Sequence, residues 1–311
     1  MDETFLAIVN PAAGSGRCRE LIGPALERLR SAGVSIETAE TKASGDATRI
    51  ARDAYQRGIR KFIAVGGDGT SYEIVNGLFP DCLVETGKET GRIPTLGFLP
   101  LGTGNSFLRD FGDPKAADRG LEYAMKAIEA RRTRACDVLR LTHRGGEIYY
   151  INLASVGFAA DVAALRHRRF MGLGHAGYLL SILVSLARLK RRPFPVRVEN
   201  GSGFDSRSCL FLTFNNSKFT GGTMMIAPNA VTDDGLIEYV RWGPIGRLGL
   251  IRNLATLYDG THTRHPLAER QPVQHVEFRL NEAVDVMVDG EVLKLECQSI
   301  DVLRSALRVV V

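Results

Sequence analysis

The segment Val65-Gly66-Gly67-Asp68-Gly69-Thr70 constrains the fold most, because it joins a short apolar strand, Phe62 to Val65, directly to a glycine turn and a helix that begins near Ser71. Adjacent glycines allow close backbone approaches that a Cβ would prevent, so their amides and the helix N-terminus can face an anion. Because a carboxylate repels phosphate, Asp68 indicates a metal-bridged nucleotide. An ordinary strand-to-helix turn with a capping Asp is the alternative.

Composition indicates a reduced, cytoplasmic protein with two domains. The 311 residues, 44% hydrophobic and 24% charged, are enough for two cores. The five cysteines are scattered without a Cys-x-x-Cys pair, and the acidic N-terminus is unlike a secretion signal. No apolar run reaches the roughly 18 residues that span a bilayer. The net charge of +5 suits anionic partners without identifying one.

The most hydrophobic segment, Tyr178 to Leu189, lies between two basic clusters at 166–169 and 188–192. Such a segment can rest on an acidic membrane or line a lipid-acceptor pocket. Ordinary core packing is the alternative.

The N-terminal part alternates strands and helices, which predicts an α/β domain with a mostly parallel sheet and helices on both faces. Ligands of such sheets bind beyond the carboxyl ends of the strands, where the glycine loops lie. The expected strands are Phe5–Val9, Val34–Glu37, Phe62–Val65 and Thr95–Leu99, and the expected helices include 46–57 and 71–78.

After about Thr133 the pattern changes to β-rich segments, which predicts a mainly antiparallel, sandwich-like second domain. Two long helical segments interrupt it, Ala160–Lys190 and Gly246–Tyr258. The expected domains are 1–133 and 134–299, with 300–311 returning to the first. The expected strands are 135–141, 148–156, 196–199, 208–214, 236–241, 276–280 and 284–288.

Two further glycine loops follow the first and fourth strands. The loop from Asn10 to Arg17 fits neither a Walker A loop nor Gly-x-Gly-x-x-Gly, yet its small residues suit anion contact as well as a plain turn. In the loop from Leu99 to Phe107, glycines flank Thr103, and Asn105 is positioned to cap a helix entering at Ser106.

Together the three loops resemble the catalytic domain of the diacylglycerol kinase family, in which Gly-Gly-Asp-Gly-Thr and Gly-Thr-x-Asn surround the ATP phosphates. The resemblance continues through 152–158, 221–230, 233–236 and 288–291, nearly the whole chain. It is strongest to the bacterial soluble lipid kinases of the family, which are related to sphingosine kinases and NAD kinases. It implies a nucleotide domain, a β domain and an interdomain active site.

The resemblance, together with the glycine loops themselves, gives the expected ATP contacts. These are Asn10, Pro11, Ala12, Ala13, Gly14, Thr41, Gly66, Gly67, Asp68, Gly69, Thr70, Ser71, Tyr72, Glu73, Gly102, Thr103 and Asn105. Thr41 carries no independent signal in the sequence.

The resemblance also implies a structural magnesium at Asp233-Asp234-Gly235-Leu236, held by the Asp234 carboxylate and by carbonyls near Val231 and Leu236. Oxygen-only ligation suits a hard cation. From the residues alone, a hairpin turn is the stronger interpretation of Asp-Asp-Gly.

Val288-Asp289-Gly290-Glu291 predicts a type I′ hairpin turn. The resemblance gives it a catalytic function, since phosphoryl transfer to an alcohol needs a carboxylate that accepts the hydroxyl proton. Either Asp289 or Glu291 is the expected base, and the other carboxylate, with Asp68, organises magnesium and water. Asp137 is a weaker candidate.

Three other features bear on function. Ser106 stands where many family members carry Asp, which bears on the acceptor and on the chemistry of the third loop. His262-Thr263-Arg264-His265 has near-metal spacing, but a solvated loop is the preferred interpretation over zinc. The aromatic residues are not interleaved with basic ones, which argues against nucleic-acid binding.

The sequence thus predicts an ATP- and Mg²⁺-dependent kinase that phosphorylates a diacylglycerol-like or sphingoid-like hydroxyl in phospholipid biosynthesis. The alternatives are an NAD kinase-like enzyme and a non-catalytic nucleotide or lipid sensor. The expected partners are a lipid substrate and a transient membrane surface, with a homodimer left open.

Overall fold

A computed structural model describes residues 4–86, 93–102, 104–111, 120–170, 174–198, 201 and 203–311. The chain divides into two compact units, one formed by Met1–Val138 with Leu303–Val311 and the other by Leu139–Val302. Both limits fall within long strands, Thr133–His143 and Cys297–Val310.

The first unit is built on a parallel sheet. Its central strands are buried on both faces, as their continuous apolar runs require, whereas the edge strand Ile36–Glu40 is largely exposed. The strands lie in the order β2-β1-β3-β4, and Arg308 and Val309 of the last strand, β19, add to β4 in parallel. Their bounds are β1 Phe5–Val9, β2 Ile36–Glu40, β3 Lys61–Gly66, β4 Thr95–Pro100 and β19 Cys297–Val310.

Helices cover both faces of this sheet. On one face, α1 and α5 pack against alternate residues of β1 and β3, such as Val9 and Val65. On the other, α2 and α3 contact β1 and β3 and approach each other so closely that a Cβ on Gly77 would lie 2.4 Å from the carbonyl oxygen of Thr48. The bounds are α1 Arg17–Ser31, α2 Asp46–Gln56, α3 Asp68–Leu78, α4 Asp81–Thr86 and α5 Gly120–Glu129, with 3₁₀ helices at Ala13–Gly16 and Phe107–Asp110.

The second unit is built on a six-stranded antiparallel sheet in the order β15-β14-β11-β7-β17-β18. Helices pack on it through a core around Trp242, Phe211 and Leu250. The strands are β7 Leu153–Gly157, β11 Phe211–Asn215, β14 Ile237–Trp242, β15 Ala268–Val273, β17 Val284–Val288 and β18 Glu291–Leu295. The helices are α6 Phe158–Leu165, α7 Gly174–Ala187, α8 Arg247–Asn253 and α9 Thr256–Asp259, with a π-helical segment at Arg166–Phe170 and a 3₁₀ helix at Thr261–Arg264.

Shorter strands complete the β structure. In the second unit, β16 pairs with β9 and with residues 299–301 of β19, and the end of β5 pairs with β6. Two-residue strands form the pairs β8–β10 and β12–β13. The bounds are β5 Thr133–His143, β6 Gly146–Tyr150, β8 Arg192–Pro193, β9 Val196–Val198, β10 Ser208–Cys209, β12 Phe219–Thr220, β13 Met224–Met225 and β16 His275–Phe278.

The predicted fold class is confirmed, with a parallel-dominated N-terminal sheet and an antiparallel C-terminal sheet. Four predicted elements are divided in the structure. The single strand 148–156 is two strands, β6 and β7, and the single strand 208–214 is β10 followed by β11. The helix 160–190 is divided at 166–170, and the helix 246–258 is α8 followed by α9.

Candidate active site

The second and third glycine loops meet where β3 and β4 end side by side. The Gly102 N–H donates to the Gly66 carbonyl at 2.8 Å. A Cβ on Gly102 would lie 2.4 Å from the Gly67 Cα, a distance that no side-chain movement relieves because the neighbour is backbone. The two loops can therefore lie this close together only if residue 102 is glycine.

The first loop joins the same surface. The Asn10 N–H donates to the Val65 carbonyl at 2.9 Å, which continues the pairing of β1 with β3 into the loop. Gly14 has a φ of 62°, and a Cβ there would lie 2.4 Å from the carbonyl oxygen of Leu101. The backbone of all three predicted loops is thus brought together at the carboxyl ends of β1, β3 and β4.

Asp68 is the first residue of α3, and its carboxylate joins the second loop to the third. Its Oδ2 accepts the backbone N–H of Ser106 at 2.9 Å, just before the 3₁₀ helix Phe107–Asp110. Burial raises the pKa of the Asp68 carboxyl, and its hydrogen bonds with Ser106 and Phe107 act in the opposite direction. The carboxylate is therefore held by donors from the facing loop.

The predicted cap function of Asn105 is wrong. Its side-chain amide donates to the carbonyls of Gly102, at 2.9 Å, and of Pro100, at 3.3 Å. Its φ of 52° turns the chain within the loop. Asp68, 38 residues away in sequence, accepts the Ser106 amide instead.

The N-terminal turn of α3 presents hydroxyls beside the glycine loops. Thr70 Oγ1 is buried and has no hydrogen-bond partner among the described residues. A Cβ on Gly66 would lie 2.4 Å from this oxygen. Ser71 Oγ donates to the Asp68 carbonyl at 2.9 Å. Gly69 and Tyr72 belong to the same helix. The turn thus offers backbone amides and one hydroxyl to an anion.

Glu73 caps a helix, and Thr41 begins the loop before that helix. The Glu73 carboxylate accepts the N–H of Gly45 at 2.8 Å and that of Ala47 at 3.0 Å, both at the N-terminus of α2. Thr41 donates its backbone N–H to the Val9 carbonyl at 2.9 Å, at the end of β1. Glu73 therefore fixes the chain from Thr41 to α2 against α3. The predicted contact residue Thr103 lies outside the described residues.

A small recess lies against the second and third loops, within the first unit. Asp68, Ser71 and Asn105 line its polar side. Phe98, Leu99, Phe107 and Leu108 line its apolar side. The recess thus joins the polar side chains of the two loops to apolar residues at the ends of β3 and β4.

In the second unit, the Asp289 carboxylate is 3% exposed and accepts three backbone hydrogen bonds. Its Oδ1 accepts the N–H of Asn152 at 3.0 Å and of Leu153 at 2.9 Å, and its Oδ2 accepts the N–H of Ile151 at 3.0 Å. These amides lie between β6 and β7, which explains why the predicted strand 148–156 is interrupted there.

Glu291 differs from Asp289 in its surroundings, although the two lie across one turn. Val288 pairs with Glu291, and Asp289 and Gly290 have φ values of 47° and 93°, so the predicted hairpin turn is confirmed. Glu291 is exposed, at the start of β18. The turn therefore directs one carboxylate into the protein and leaves the other at the surface.

At the predicted magnesium site, Asp234 Oδ1 accepts the Leu236 N–H at 2.9 Å, and Gly235 has a φ of 73°. Asp234 and Val231 are exposed. Among the described residues, no three Asp, Glu, His or Cys side chains are grouped for metal binding. A single carboxylate with backbone carbonyls is an oxygen-only donor set that fits Mg²⁺ with water ligands.

Two other candidate residues are buried. Asp137 Oδ1 accepts the Ser305 N–H at 2.6 Å, and Ser305 has a φ of 48°. The interpretation of 262–265 as a solvated loop is wrong for His262, which is 1% exposed with its ring nitrogens 3.2 and 3.1 Å from the carbonyl oxygens of Thr256 and Ile226.

Two family profiles match most of the chain. The diacylglycerol kinase catalytic domain matches residues 4–141, and the YegS C-terminal NAD kinase beta sandwich-like domain matches residues 152–311. The chain belongs to the diacylglycerol kinase family. A member from Chromohalobacter salexigens, named "Probable lipid kinase YegS-like", is 31% identical over 93% of this chain and 86% of its own length.

Other members of the diacylglycerol kinase family also match this chain over most of its length. A diacylglycerol kinase from Bacillus subtilis is 29% identical over 91% of this chain and 88% of its own length. The crystal structure of a diacylglycerol kinase from Bacillus anthracis strain Sterne has a TM-score of 0.69 at 20% identity, covering 99% of this chain and 96% of that one. The likeness to the Bacillus anthracis structure shows the fold of this chain.

Sequence reasoning missed the side-chain contacts that hold these loops in place. The carboxylates of Asp68, Glu73 and Asp289 each accept a backbone N–H from a segment at least 26 residues away. A spacing pattern carries no signal for such contacts. In the described part of the chain, no helix is long and apolar enough to cross a membrane.

Proposed function

We propose that the protein is a lipid kinase that transfers the γ-phosphate of ATP to a lipid hydroxyl in a Mg²⁺-dependent reaction. The observation that carries this proposal is the convergence of three glycine loops on the N-terminus of α3, at the carboxyl ends of β1, β3 and β4. This is where an open parallel sheet binds phosphate groups.

The phosphates of ATP contact the backbone amides of the loops and the hydroxyl of Thr70 in this proposal. Because the loops touch through glycine, no Cβ stands between a phosphate and the amides. The buried, unpaired Thr70 Oγ1 gains a partner when an anion binds, which removes the cost of leaving a polar atom unsatisfied.

Two carboxylates are proposed to serve magnesium. Asp68, fixed by the Ser106 amide, holds the ion that accompanies ATP, and Asp234 with the carbonyls of Val231 and Leu236 holds a structural ion. The bound cation neutralises charge on the phosphoryl group. The protein contributes orientation, because the hydrogen bond from the Ser106 amide already holds the Asp68 carboxylate in place before the ion binds.

Glu291 is the proposed base for the acceptor hydroxyl. Both oxygens of Asp289 already accept backbone hydrogen bonds from 151–153, so protonating Asp289 would disrupt the segment that it orders. Glu291 is exposed, so its carboxylate lies at the surface, where an acceptor hydroxyl can approach it. Asp289 then acts as a positioning residue for the turn that carries Glu291.

The acceptor is proposed to be a diacylglycerol-like or sphingoid-like lipid, because relatives matching most of the chain are named lipid or diacylglycerol kinases. An NAD kinase-like activity is the second candidate, since the C-terminal profile is described as NAD kinase beta sandwich-like. A non-catalytic sensor is less consistent with the retained Asp68 and Glu291.

The test is transfer of labelled γ-phosphate from ATP to diacylglycerol, sphingosine, ceramide and NAD in parallel, with and without magnesium. A labelled lipid that requires magnesium supports the proposal and identifies the acceptor class. Labelled NADP would establish the rival activity. ATP binding without any labelled product would indicate a sensor.

A further inference from the structure

Helices α8 and α9 of the second unit present an apolar surface to solvent. Leu248, Ile251, Leu254 and Tyr258 are 70, 53, 37 and 47% exposed. Their spacing of three or four residues places them on one side of the helical segment. We call these four side chains the outer face. Exposed apolar residues are ordinary when scattered, but four in one stretch mark an interaction surface.

The outer face is not needed for the core of its own unit. Leu250 and Leu257, seven residues apart, point the other way and pack with Trp242 and Ile245. The segment is therefore apolar on two sides, one of which is already buried in the unit. A helical segment that is apolar on its second side as well fits an apolar environment outside the unit.

The charged residues in the chain segment that carries the outer face are almost all positive. Arg247, Arg252 and Arg264 are exposed on or next to α8 and α9, and Asp259 is the only acidic residue in the segment 244–267. The ion pairs described in this unit involve other arginines, such as Arg192, Arg207 and Arg270. The Asp259 carboxylate accepts hydrogen bonds from both the backbone and the hydroxyl of Thr261.

The C-terminal end of α7 extends the positive charge. The Arg247 guanidinium donates to the carbonyls of Leu186, at 3.2 Å, and Ala187, at 2.8 Å, which fixes α8 beside that helix end. Arg188, Lys190 and Arg191 follow at once and are exposed. Apolar side chains bordered by exposed cations match the surface of an anionic bilayer, which offers acyl chains below phosphate groups.

We propose that the outer face of α8 and α9 docks on anionic phospholipid bilayers, with its four apolar side chains entering the interface and with Arg252 and Arg264 contacting lipid phosphates. The inference deepens the proposed lipid kinase function, because it states how the protein reaches an acceptor that remains in a bilayer. It does not depend on phosphoryl transfer, since docking requires neither ATP nor acceptor.

The experiment is co-sedimentation of the full chain with vesicles of phosphatidylcholine alone or of two parts phosphatidylcholine to one part phosphatidylglycerol, without ATP or acceptor lipid. The wild type should bind the anionic vesicles, and raised salt should weaken binding. The double variant Leu248→Ser, Ile251→Ser should bind about tenfold more weakly or worse. Arg252→Glu should weaken binding by at least about fivefold.

Matched controls lie on α1, where Leu21 is 37% exposed and Arg19 is also exposed. Leu21→Ser and Arg19→Glu should bind as the wild type does. Equal binding by the α8 variants and the wild type would overturn the proposal. So would a wild-type dimer in light scattering that Leu248→Ser, Ile251→Ser converts to a monomer, because a second copy would then cover the outer face.

Phosphoryl transfer separates failure of docking from failure of the proposed function. The α8 variants should phosphorylate a water-soluble short-chain acceptor at the wild-type rate and a vesicle-bound acceptor more slowly. Vesicle binding by a protein that phosphorylates no acceptor would leave the docking surface standing and reject the kinase. If the α8 variants transferred phosphate to both the short-chain and the vesicle-bound acceptor at the wild-type rate, the docking surface alone would be rejected.

Discussion

The carboxylate of Asp68 and the backbone amide of Ser106 are joined by a 2.9 Å hydrogen bond between two loops that follow neighbouring strands. The bond brings the second glycine loop and the start of the Phe107–Asp110 helix to one place. A Cβ on Gly104 would lie 2.9 Å from Asp68 Oδ2, so the loop leaves just enough space for the carboxylate. The glycines and the acid of the site are thus parts of one packing arrangement.

Replacing Gly102 by alanine should destabilise the protein and weaken ATP binding. The added Cβ would lie 2.4 Å from the Gly67 Cα, and only backbone movement relieves that contact. We expect the free energy of unfolding to fall by about 1 to 3 kcal/mol. Denaturant unfolding and calorimetric titration with ATP measure the two effects.

The matched control is Gly23→Ala, in the exposed part of α1, where a Cβ meets no heavy atom within 4 Å. This change should leave ATP binding intact and change the free energy of unfolding by less than about 1 kcal/mol, because Pro24 disfavours a Cβ on the preceding helical residue and so opposes the gain in helix propensity. Equal stability and equal ATP affinity in Gly102→Ala and the wild type would show that the loops do not touch as described.

Asp289→Asn and Glu291→Gln should separate a structural acid from a catalytic one. Asparagine offers one carbonyl oxygen where Asp289 accepts three amides, so unfolding should become easier by about 1 to 3 kcal/mol. Glu291 is exposed, so Glu291→Gln should change stability by less than about 0.5 kcal/mol while lowering kcat.

Thermal or denaturant unfolding and steady-state kinetics on the same two preparations check this pair. A Glu291→Gln variant with the wild-type kcat would remove Glu291 as the base. An Asp289→Asn variant with the wild-type stability would show that the three backbone hydrogen bonds contribute nothing measurable.

The stability of the protein should depend on the protonation of His262. Burial lowers the pKa of His262, and the carbonyls of Thr256 and Ile226 and the charge of Asp259 oppose this effect. An unfolded histidine binds its proton near pH 6.5, so below about that pH the unfolded chain holds more protons. The free energy of unfolding should therefore fall as the pH drops through and below this value.

Denaturant unfolding of the wild type and of His262→Gln, from neutral pH to about pH 5.5, measures this dependence. The variant should show a shallower decline than the wild type. His167→Gln, which removes an exposed imidazole, should keep the wild-type slope. Parallel curves for the wild type and His262→Gln would contradict the account.

Much of the fold follows from the sequence because its strands carry strong local signals. The sequence predicts the strands Phe5–Val9 and Val284–Val288 with the bounds that the structure has, since both are apolar segments, the second interrupted only by Asp285, that end at turn residues. The interruption between β6 and β7 was missed because its cause, the Asp289 carboxylate, lies far away in sequence.

The site could be predicted as a set of loops but not as a set of contacts. Glycine and hydroxyl residues after Val9, Val65 and Pro100 indicated the loops. The pairing of Asp68 with Ser106 and the capping of α2 by Glu73 depend on tertiary packing. Local propensity likewise gave Asn105 a helix-capping function that the distant Asp68 performs.

The decisive measurement compares Asp68→Asn with the wild type in the rate of labelled phosphate transfer from ATP to dispersed diacylglycerol. Asparagine retains an oxygen for the Ser106 amide, so the variant should fold, which its melting curve verifies. We expect lipid phosphate from the wild type and at least about a hundredfold slower transfer by the folded variant. A folded Asp68→Asn variant that transfers phosphate at nearly the wild-type rate would contradict the proposed function.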